Sequence, residues 1–190
     1  MMEYKEIDED QLAIRECQLG NTDSYRLLVE KYRDRAYYAA LIMTGNREDA
    51  LDISQEAFYR AFKAIKSFQK GKNFYTWLYR ILKNIAINNF RRIKKRNLVF
   101  TDAEQSSDSR FYISPAATPE EVFEEHEMRD IVWKGLMQLK PGDREIIVLK
   151  EFHDMSYKEI AEILEIPLGS VMSRLFYAKK KLAKFLEDLT

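Results

Sequence analysis

At 190 residues, with 46% hydrophobic and 13% aromatic content, the chain is long enough for one domain or two small ones and apolar enough to build real cores. A single cysteine, Cys17, excludes an internal disulfide, and no apolar run approaches the roughly 18 residues that span a bilayer, so membrane insertion is not expected. The 31 basic and 31 acidic residues cancel but are segregated: residues 1–56 carry 7 basic and 13 acidic, 57–101 carry 12 and none, 102–130 carry 2 and 9, and 131–190 carry 10 and 9. Partners must therefore be inferred from patches rather than from net charge.

Residues 1–10 are acidic rather than basic then apolar, which is not a secretory signal, and a cytoplasmic protein is expected. Periodicity then predicts helices throughout. A first helix over 8–19 stops at Gly20, and a second starts at Ser24 and runs to about Thr44, with Leu28, Tyr32, Ala36, Ala39 and Met43 recurring every three or four residues. Gly45-Asn46 breaks it. A third helix spans 48–67, a loop Gln69-Lys70-Gly71-Lys72 follows, and a fourth covers 74–96 with Leu78, Ile81, Ile85 and Leu82 as inward candidates. No alternating strand pattern of useful length occurs, so these helices predict an all-helical domain around one core.

The most informative stretch is residues 58–100: 43 residues with 12 Lys or Arg, no Asp or Glu and ten aromatics. Cations interleaved with aromatics and amides suit a phosphate backbone with bases to stack on. The competing reading, for any one ring, is a buried aromatic on a helix whose basic face is merely solvated.

Periodicity lapses over 97–118, a Ser-, Asp-, Thr- and Ala-rich run containing the first Pro, which reads as a flexible linker. Thr118-Pro119-Glu120-Glu121 is a capping box that opens a helix to about Leu139, and Pro141-Gly142-Asp143 starts another reaching Phe152. Ser156-Tyr157-Lys158-Glu159 is a second capping box opening a helix over 157–164, Glu165-Ile166-Pro167 is a tight turn, and 168–189 is the last helix. Two helices across a three-residue turn, the second free of acid from 168 to 186, fit a helix-turn-helix whose second helix enters the major groove. Val171, Leu175, Ala178, Leu182 and Phe185 form its inner stripe, and at about 100° per residue Ser173, Tyr177, Lys180 and Lys184 point away from it. A plain helical hairpin with a solvated lysine face competes with this reading.

Enzyme chemistry finds no footing. Beside the run Glu120, Glu121, Glu124, Glu125 and Glu127, His126 lacks the Glu-x-x-His spacing because Phe123 holds the required position, and Lys150 precedes His153 at that spacing. The six glycines form no phosphate-cradling loop, and the lone Cys17 has no evident base. Neither a metal, a cofactor nor a small-molecule substrate is expected.

The segments DALDISQEAFYRAFKAIKSF, FYTWLYRILKNIAINNFRR and LKPGDREIIVLKEFHDMSYKEIAEILEIPLGSVMSRLFYAKKKL, in this order, strongly resemble the bacterial RNA polymerase sigma factors of the extracytoplasmic-function group, within the sigma-70 family. The resemblance covers residues 22–97 and 118–186. It implies a region 2 domain over 1–97, a linker over 98–117 and a region 4 domain over 118–190. Its partners would be the clamp and flap of core RNA polymerase, promoter DNA and an anti-sigma factor.

Residue by residue, it implies a polymerase-docking helix over 50–62 presenting Asp52, Gln55, Glu56, Phe58, Arg60 and Ala61. The loop 70–73, with Lys72 and Asn73, would hold an everted base of the minus-ten element. Tyr75, Trp77, Tyr79, Arg80, Lys83, Asn84, Asn88, Arg91 and Arg92 would line the single strand and the upstream duplex. The minus-thirty-five element would be read by Ser170, Met172, Ser173, Arg174, Phe176 and Tyr177, with Lys180 and Lys181 on phosphates.

Many relatives carry Asp where this chain has Asn88, and a basic residue where it has Met172, which can offer only apolar contact to a base edge. Arg174 flanks the inner stripe, so a salt bridge to Glu159, a phosphate contact and base readout stay open. Two other classes compete with a sigma factor. A helix-turn-helix regulator would bind duplex DNA without polymerase, and an RNA-binding helical protein would prefer RNA over promoter duplex.

Overall fold

The computed structural model describes residues 8–97 and 131–187, with side chains in the first stretch described as far as Arg91. The linker 98–117, the capping box at Thr118 and the acidic run with His126 lie outside the described residues. By internal contacts the chain divides into two units, Met1–Thr101 and Asp102–Thr190, and no strand occurs among the described residues.

The first unit has four helices: α1 (Glu9–Gln18), α2 (Tyr25–Thr44), α3 (Arg47–Ala64) and α4 (Phe74–Asn97). Local chemistry sets their ends. Asp8 caps α1 by accepting from the N–H groups of Asp10 and Gln11, while Glu9 and Asp10 complement the positive end of the helix. Gly45 closes α2 in the left-handed region at φ 68°, its N–H bonding the Leu41 carbonyl at 2.7 Å, and Asn46 then caps α3 through Asp49. The sequence places the start of α2 at Ser24, but Thr22–Ser24 is a short 3-10 turn. The end of the third helix likewise tightens into a 3-10 turn at Ile65–Ser67.

Leu28, Tyr32, Ala36 and Ala39 of α2 face the core as their spacing predicts, with Met43 half-buried; on α4, Leu78, Leu82 and Ile85 are buried and Ile81 is half-buried. Rings supply much of the packing. Phe74, at the first position of α4, lies 5.7–6.4 Å from the ring centroids of Tyr25, Tyr32, Phe68 and Trp77. Two rings complete their polar tips inside the unit: Tyr25 donates its hydroxyl to the Phe58 carbonyl at 2.7 Å, and Tyr32 donates to Asp10, which also takes Lys31 Nζ at 2.7 Å.

Among the described residues, the second unit has a helix over 131–138 (α5), followed by α6 (Pro141–Ile147), α7 (Tyr157–Leu164) and α8 (Leu168–Glu187). Pro141 starts α6, and Arg144 donates Nη2 to the carbonyls of Met137 and Leu139, satisfying the end of α5; burial pushes the pKa of this guanidinium down. The sequence predicts one helix from Pro141 to Phe152. Instead α6 widens into a π-helical turn at Val148–Phe152, and Ile146, Ile147, Val148 and Leu149 are buried in succession. Ser156 and Glu159 form the expected capping box in both directions, and Glu165, left-handed at φ 55°, turns the chain into α8.

Because Phe74 joins so many rings, Phe74→Ala should cost the first unit about 3–5 kcal/mol, whereas Ser156→Ala should cost the second about 1 kcal/mol. Urea unfolding followed by circular dichroism checks both, and equal effects would contradict the unequal packing described.

Candidate nucleic-acid interface

Helix α4 contains no acid along its length. Its exposed positions Arg80, Asn84, Ile87, Asn88 and Arg91 recur at spacings of four, three, one and three, so they share one face. At a rise of about 1.5 Å per residue this stripe is about 16 Å long, and at about 3.4 Å per stacked base it matches roughly five nucleotides. Trp77 and Lys83 flank it, half-buried, and Lys72 and Asn73 are exposed just before it. Arg92 belongs to α4, but its side chain lies outside the described residues. Two apolar residues of α4 are also exposed, Ile87 and Phe90, the latter one of the ten aromatics of the 58–100 stretch. Ile87 was legible, since it falls with Asn84 and Arg91 rather than with Leu78, Leu82 and Ile85, whereas Phe90 follows buried Ala86 by four and carries no such signal.

Two expected stacking platforms do not lie on this surface. Tyr75 and Tyr79 are each only 2% exposed. Tyr75 stacks on Tyr32 at 5.3 Å, its hydroxyl donates to the Arg35 carbonyl, and the Arg35 guanidinium lies 4.4 Å from its ring centroid. Burial raises the phenol pKa of Tyr75 far above its ordinary value, the nearby Arg35 opposing it. The correction has a simple cause. At spacings of four and three, Tyr75, Tyr79, Leu82 and Ala86 continue the inner face, so aromatic composition does not override helical phase.

The loop before α4 is built from exposed residues 69–73, with Gly71 at φ 80° in a conformation that side chains other than glycine's rarely adopt. Asn73 Oδ1 accepts from the Thr76 N–H at 2.9 Å and so caps α4. Two contacts from α1 reach this segment: Gln11 Nε2 donates to the Lys72 carbonyl at 2.9 Å, and the Gly71 N–H donates to Gln11 Oε1 at 3.1 Å.

On α3 the expected polymerase-facing residues divide. Asp52, Gln55 and Arg60 are exposed and Glu56 is half-buried, with Arg60 Nε held by Glu56 at 2.7 Å. Ala61 is fully buried on the inner face, which corrects its expected place at an interface, while Phe58 is buried but for an edge that lines a surface groove with Tyr25, Tyr59 and Phe62.

In the second unit, α7 and α8 pack as a helix-turn-helix. Val171, Leu175 and Ala178 are buried, Leu182 and Phe185 half-buried. The outward surface is unusually apolar: Met172 is 49%, Phe176 64% and Tyr177 61% exposed, with the last two rings edge-on at 5.4 Å. Ser170 and Ser173 are exposed, but the Ser173 hydroxyl donates to carbonyls of its own helix, Gly169 at 3.2 Å or Ser170 at 3.3 Å, so toward solvent it offers an acceptor.

The cations of α8 differ from one another. Arg174 pairs with Asp143 at 3.8 Å rather than with Glu159, and Lys181 Nζ meets the same carboxylate at 2.6 Å. Lys179 pairs with Glu151 at 2.7 Å. Lys180 and Lys184 are exposed and make no ion pair among the described residues. Among those residues, too, no group of three or more His, Cys, Asp or Glu is placed to hold a metal ion, and no helix is long and apolar enough to cross a membrane.

A cationic amide-bearing helix face in one unit and a helix-turn-helix in the other define a DNA-binding protein of transcription. Comparison with known proteins is specific. Residues 28–96 match the Sigma-70 region 2 family and residues 129–182 the Sigma-70, region 4 family. The chain is 34% identical to the ECF RNA polymerase sigma factor SigW of Bacillus subtilis, over 93% of this chain and 96% of that one. It is 33% identical to the ECF RNA polymerase sigma-E factor of Haemophilus influenzae, over 95% and 96%. In fold it is similar to CnrH, solved in complex with the cytosolic domain of CnrY, with a TM-score of 0.68 and 24% identity over 96% of this chain and 100% of that one. Bartonella quintana RpoE, solved with the anti-sigma factor NepR, gives 0.70 and 20% over 87% and 98%. The chain belongs to the extracytoplasmic-function sigma factors of the sigma-70 family.

Asp143 holds two cations of α8, so Asp143→Asn should release Lys181 to phosphate and raise the magnitude of the log-affinity against log-salt slope on duplex DNA by about 0.9. Fluorescence anisotropy over a salt series measures it; an unchanged slope with lowered thermal stability would make the pair purely structural.

Proposed function

We propose that this protein binds core RNA polymerase in the cytoplasm, directs it to promoters and helps open them, making no covalent bond itself. The division of labour follows the expected one: residues 1–97 dock on the polymerase clamp and take the minus-ten element, 98–117 link, and 118–190 take the minus-thirty-five element near the flap. An anti-sigma factor is the expected regulator. The observation that carries this reading is the exposed stripe Arg80, Asn84, Asn88 and Arg91 on an acid-free helix, in a chain whose other unit is a helix-turn-helix. Opened DNA needs cations and donors along a strand, whereas closed duplex needs a helix in a groove.

Within this reading we assign the residues by their exposure. Asn84, Asn88, Arg80 and Arg91, with Lys83 and Arg92 beside them, follow the single strand and upstream duplex, and Trp77 is a partly buried wedge at its edge. Tyr75 and Tyr79 act by holding α4 against the core. Asp52, Gln55, Glu56 and Arg60 meet the clamp, with Phe58 and Ala61 supporting them from beneath. On α8, Ser170, Met172, Ser173, Phe176 and Tyr177 face bases; their apolar members suit thymine methyl groups, and Ser173 suits a base-edge amino group. Lys180 contacts phosphate directly, while Lys181 and Arg174 must first exchange Asp143 for it.

Run-off transcription tests the central claim: the protein with core polymerase should initiate from discrete sites, and the isolated protein should give no footprint there. Equal specific duplex binding by the isolated protein would favour a polymerase-independent regulator. In the holoenzyme, Asn84→Ala with Arg91→Ala should lower permanganate reactivity of the opened thymines about tenfold while initial binding changes less.

On the minus-thirty-five side, Tyr177→Ala should relax preference at one or two base pairs, by about 1–3 kcal/mol each, with little change in salt slope. Lys180→Ala should lower the slope by about 0.9 and weaken all promoters alike. Affinities on a promoter panel distinguish these outcomes, and reversed effects would overturn the docking orientation.

A further inference from the structure

Helix α1 carries two carboxamides on the same stripe as buried Ile14. Gln11, Ile14 and Gln18 follow one another at spacings of three and four, which places them on one face of the helix. Both amides reach main chain of the segment that leads into α4. Gln18 Nε2 donates to the carbonyls of Ile65 at 2.9 Å and Phe68 at 3.1 Å. Gln11 spans the loop itself, donating to Lys72 and accepting from Gly71. A single side chain therefore uses both its donor and its acceptor on main-chain groups of successive residues.

The loop itself is exposed and loosely bonded within its own main chain. Its residues 69–73 are all exposed, Gly71 gives it a φ of 80° without steric resistance, and its internal main-chain bond from the Lys72 N–H to the Gln69 carbonyl is long at 3.3 Å. Downstream it is fixed by the Asn73 cap and buried Phe74; upstream it is fixed by Phe68. Between these anchors, Gln11 reaches across from another helix. The α1 end of this contact is itself fixed, because neighbouring Asp10 takes both Tyr32 and Lys31 of α2.

We propose that Gln11 is a positioning residue for promoter recognition: its carboxamide sets the backbone of the 70–73 loop, and with it the discrimination among bases at the minus-ten position that this loop receives. The proposal rests on the assignment of the loop to an everted base made above. Gln11 touches no DNA. It acts by keeping Gly71 and Lys72 in one arrangement, so that base-edge contacts do not have to pay the entropy of ordering the loop on binding. Base preference at a single position should depend on a residue some 60 positions away in sequence, while neighbouring positions should not.

The test uses the full-length protein reconstituted with core polymerase and a set of promoters with each minus-ten position changed in turn. Gln11→Ala should lower discrimination at one position about fivefold, a factor expected for loss of a net hydrogen bond. Discrimination at the other minus-ten positions and in the minus-thirty-five element should stay as in the parent, and so should the thermal midpoint. Gln11→Glu, which keeps an acceptor for the Gly71 N–H but loses the donor to Lys72, should fall between parent and Gln11→Ala. Gln18→Ala, which loosens the turn ahead of the loop, should lower the thermal midpoint and leave base discrimination intact.

Parent-like discrimination in both Gln11 variants would overturn the proposal while leaving the assignment of the loop standing. A loss spread evenly over all positions together with the thermal midpoint would make Gln11 a fold residue only and overturn it equally. A parent holoenzyme that discriminated no base in the minus-ten element would instead overturn the assignment of the loop, and this proposal with it.

Discussion

The packing of Phe74 is the constraint on which the first unit depends. Its ring meets rings from α2, from the segment before α4 and from α4 itself, while the preceding residue, Asn73, caps the same helix. The start of α4 is thus pinned at once by a buried aromatic and by a satisfied N–H group. Everything downstream inherits that phase. With Phe74 inside, Tyr75, Leu78, Tyr79 and Leu82 are inside too, and Arg80, Asn84, Asn88 and Arg91 must be outside. The cationic stripe follows from where the core holds the first turn of α4, and a rigid helix carries polar groups at fixed intervals without the ordering cost that a loop would incur.

The chain's helices and their order were legible because nearly every boundary carries its own local chemistry: Gly45 after α2, Asn46 before α3, Ser156 with Glu159 around α7. What escaped was chemistry that only tertiary packing decides. Composition marked residues 58–100 as rich in cations and rings, and that charge reading carried over to the exposed face of α4. The rings went largely to the core, because a helix that packs on one side assigns its side chains by phase before composition has a say. Tyr75 and Tyr79 were misplaced for this reason, and Ala61 on α3 for the same one. The widening of α6 at Val148 had no local signal. Neither had Gln11, whose partners are main-chain groups some 60 residues away; a lone glutamine on a helix looks the same whether it bonds water or a distant peptide.

Charge has an equally uneven fate in the second unit. Five cations on an acid-free helix look alike in sequence, yet Asp143 takes two of them and Glu151 a third. The pair of Lys179 and Glu151, exposed at both ends, adds little stability, with a median below about 1 kcal/mol for such pairs, whereas Asp143 is largely buried; in either case a paired cation must give up its partner before it meets a phosphate. The outward surface of α8 is meanwhile made of Met172, Phe176 and Tyr177, which offer shape and methyl contacts rather than the charged fork of an arginine.

Gly142 shows how such arrangements constrain the history of the chain. A Cβ built at this position would lie 3.1 Å from Cζ of Arg174 and closer still to Nη2, so any larger residue there displaces the guanidinium from its place beside Asp143. The two positions are therefore epistatic. A substitution at 142 made first displaces Arg174 and alters the charge pattern on α8, whereas after Arg174 has been shortened the three nearest atoms that an added Cβ would meet are gone. The order in which mutations arrive would decide whether a lineage drifts quietly in α6 or acquires a different reading helix, without any change in the residues that touch a base.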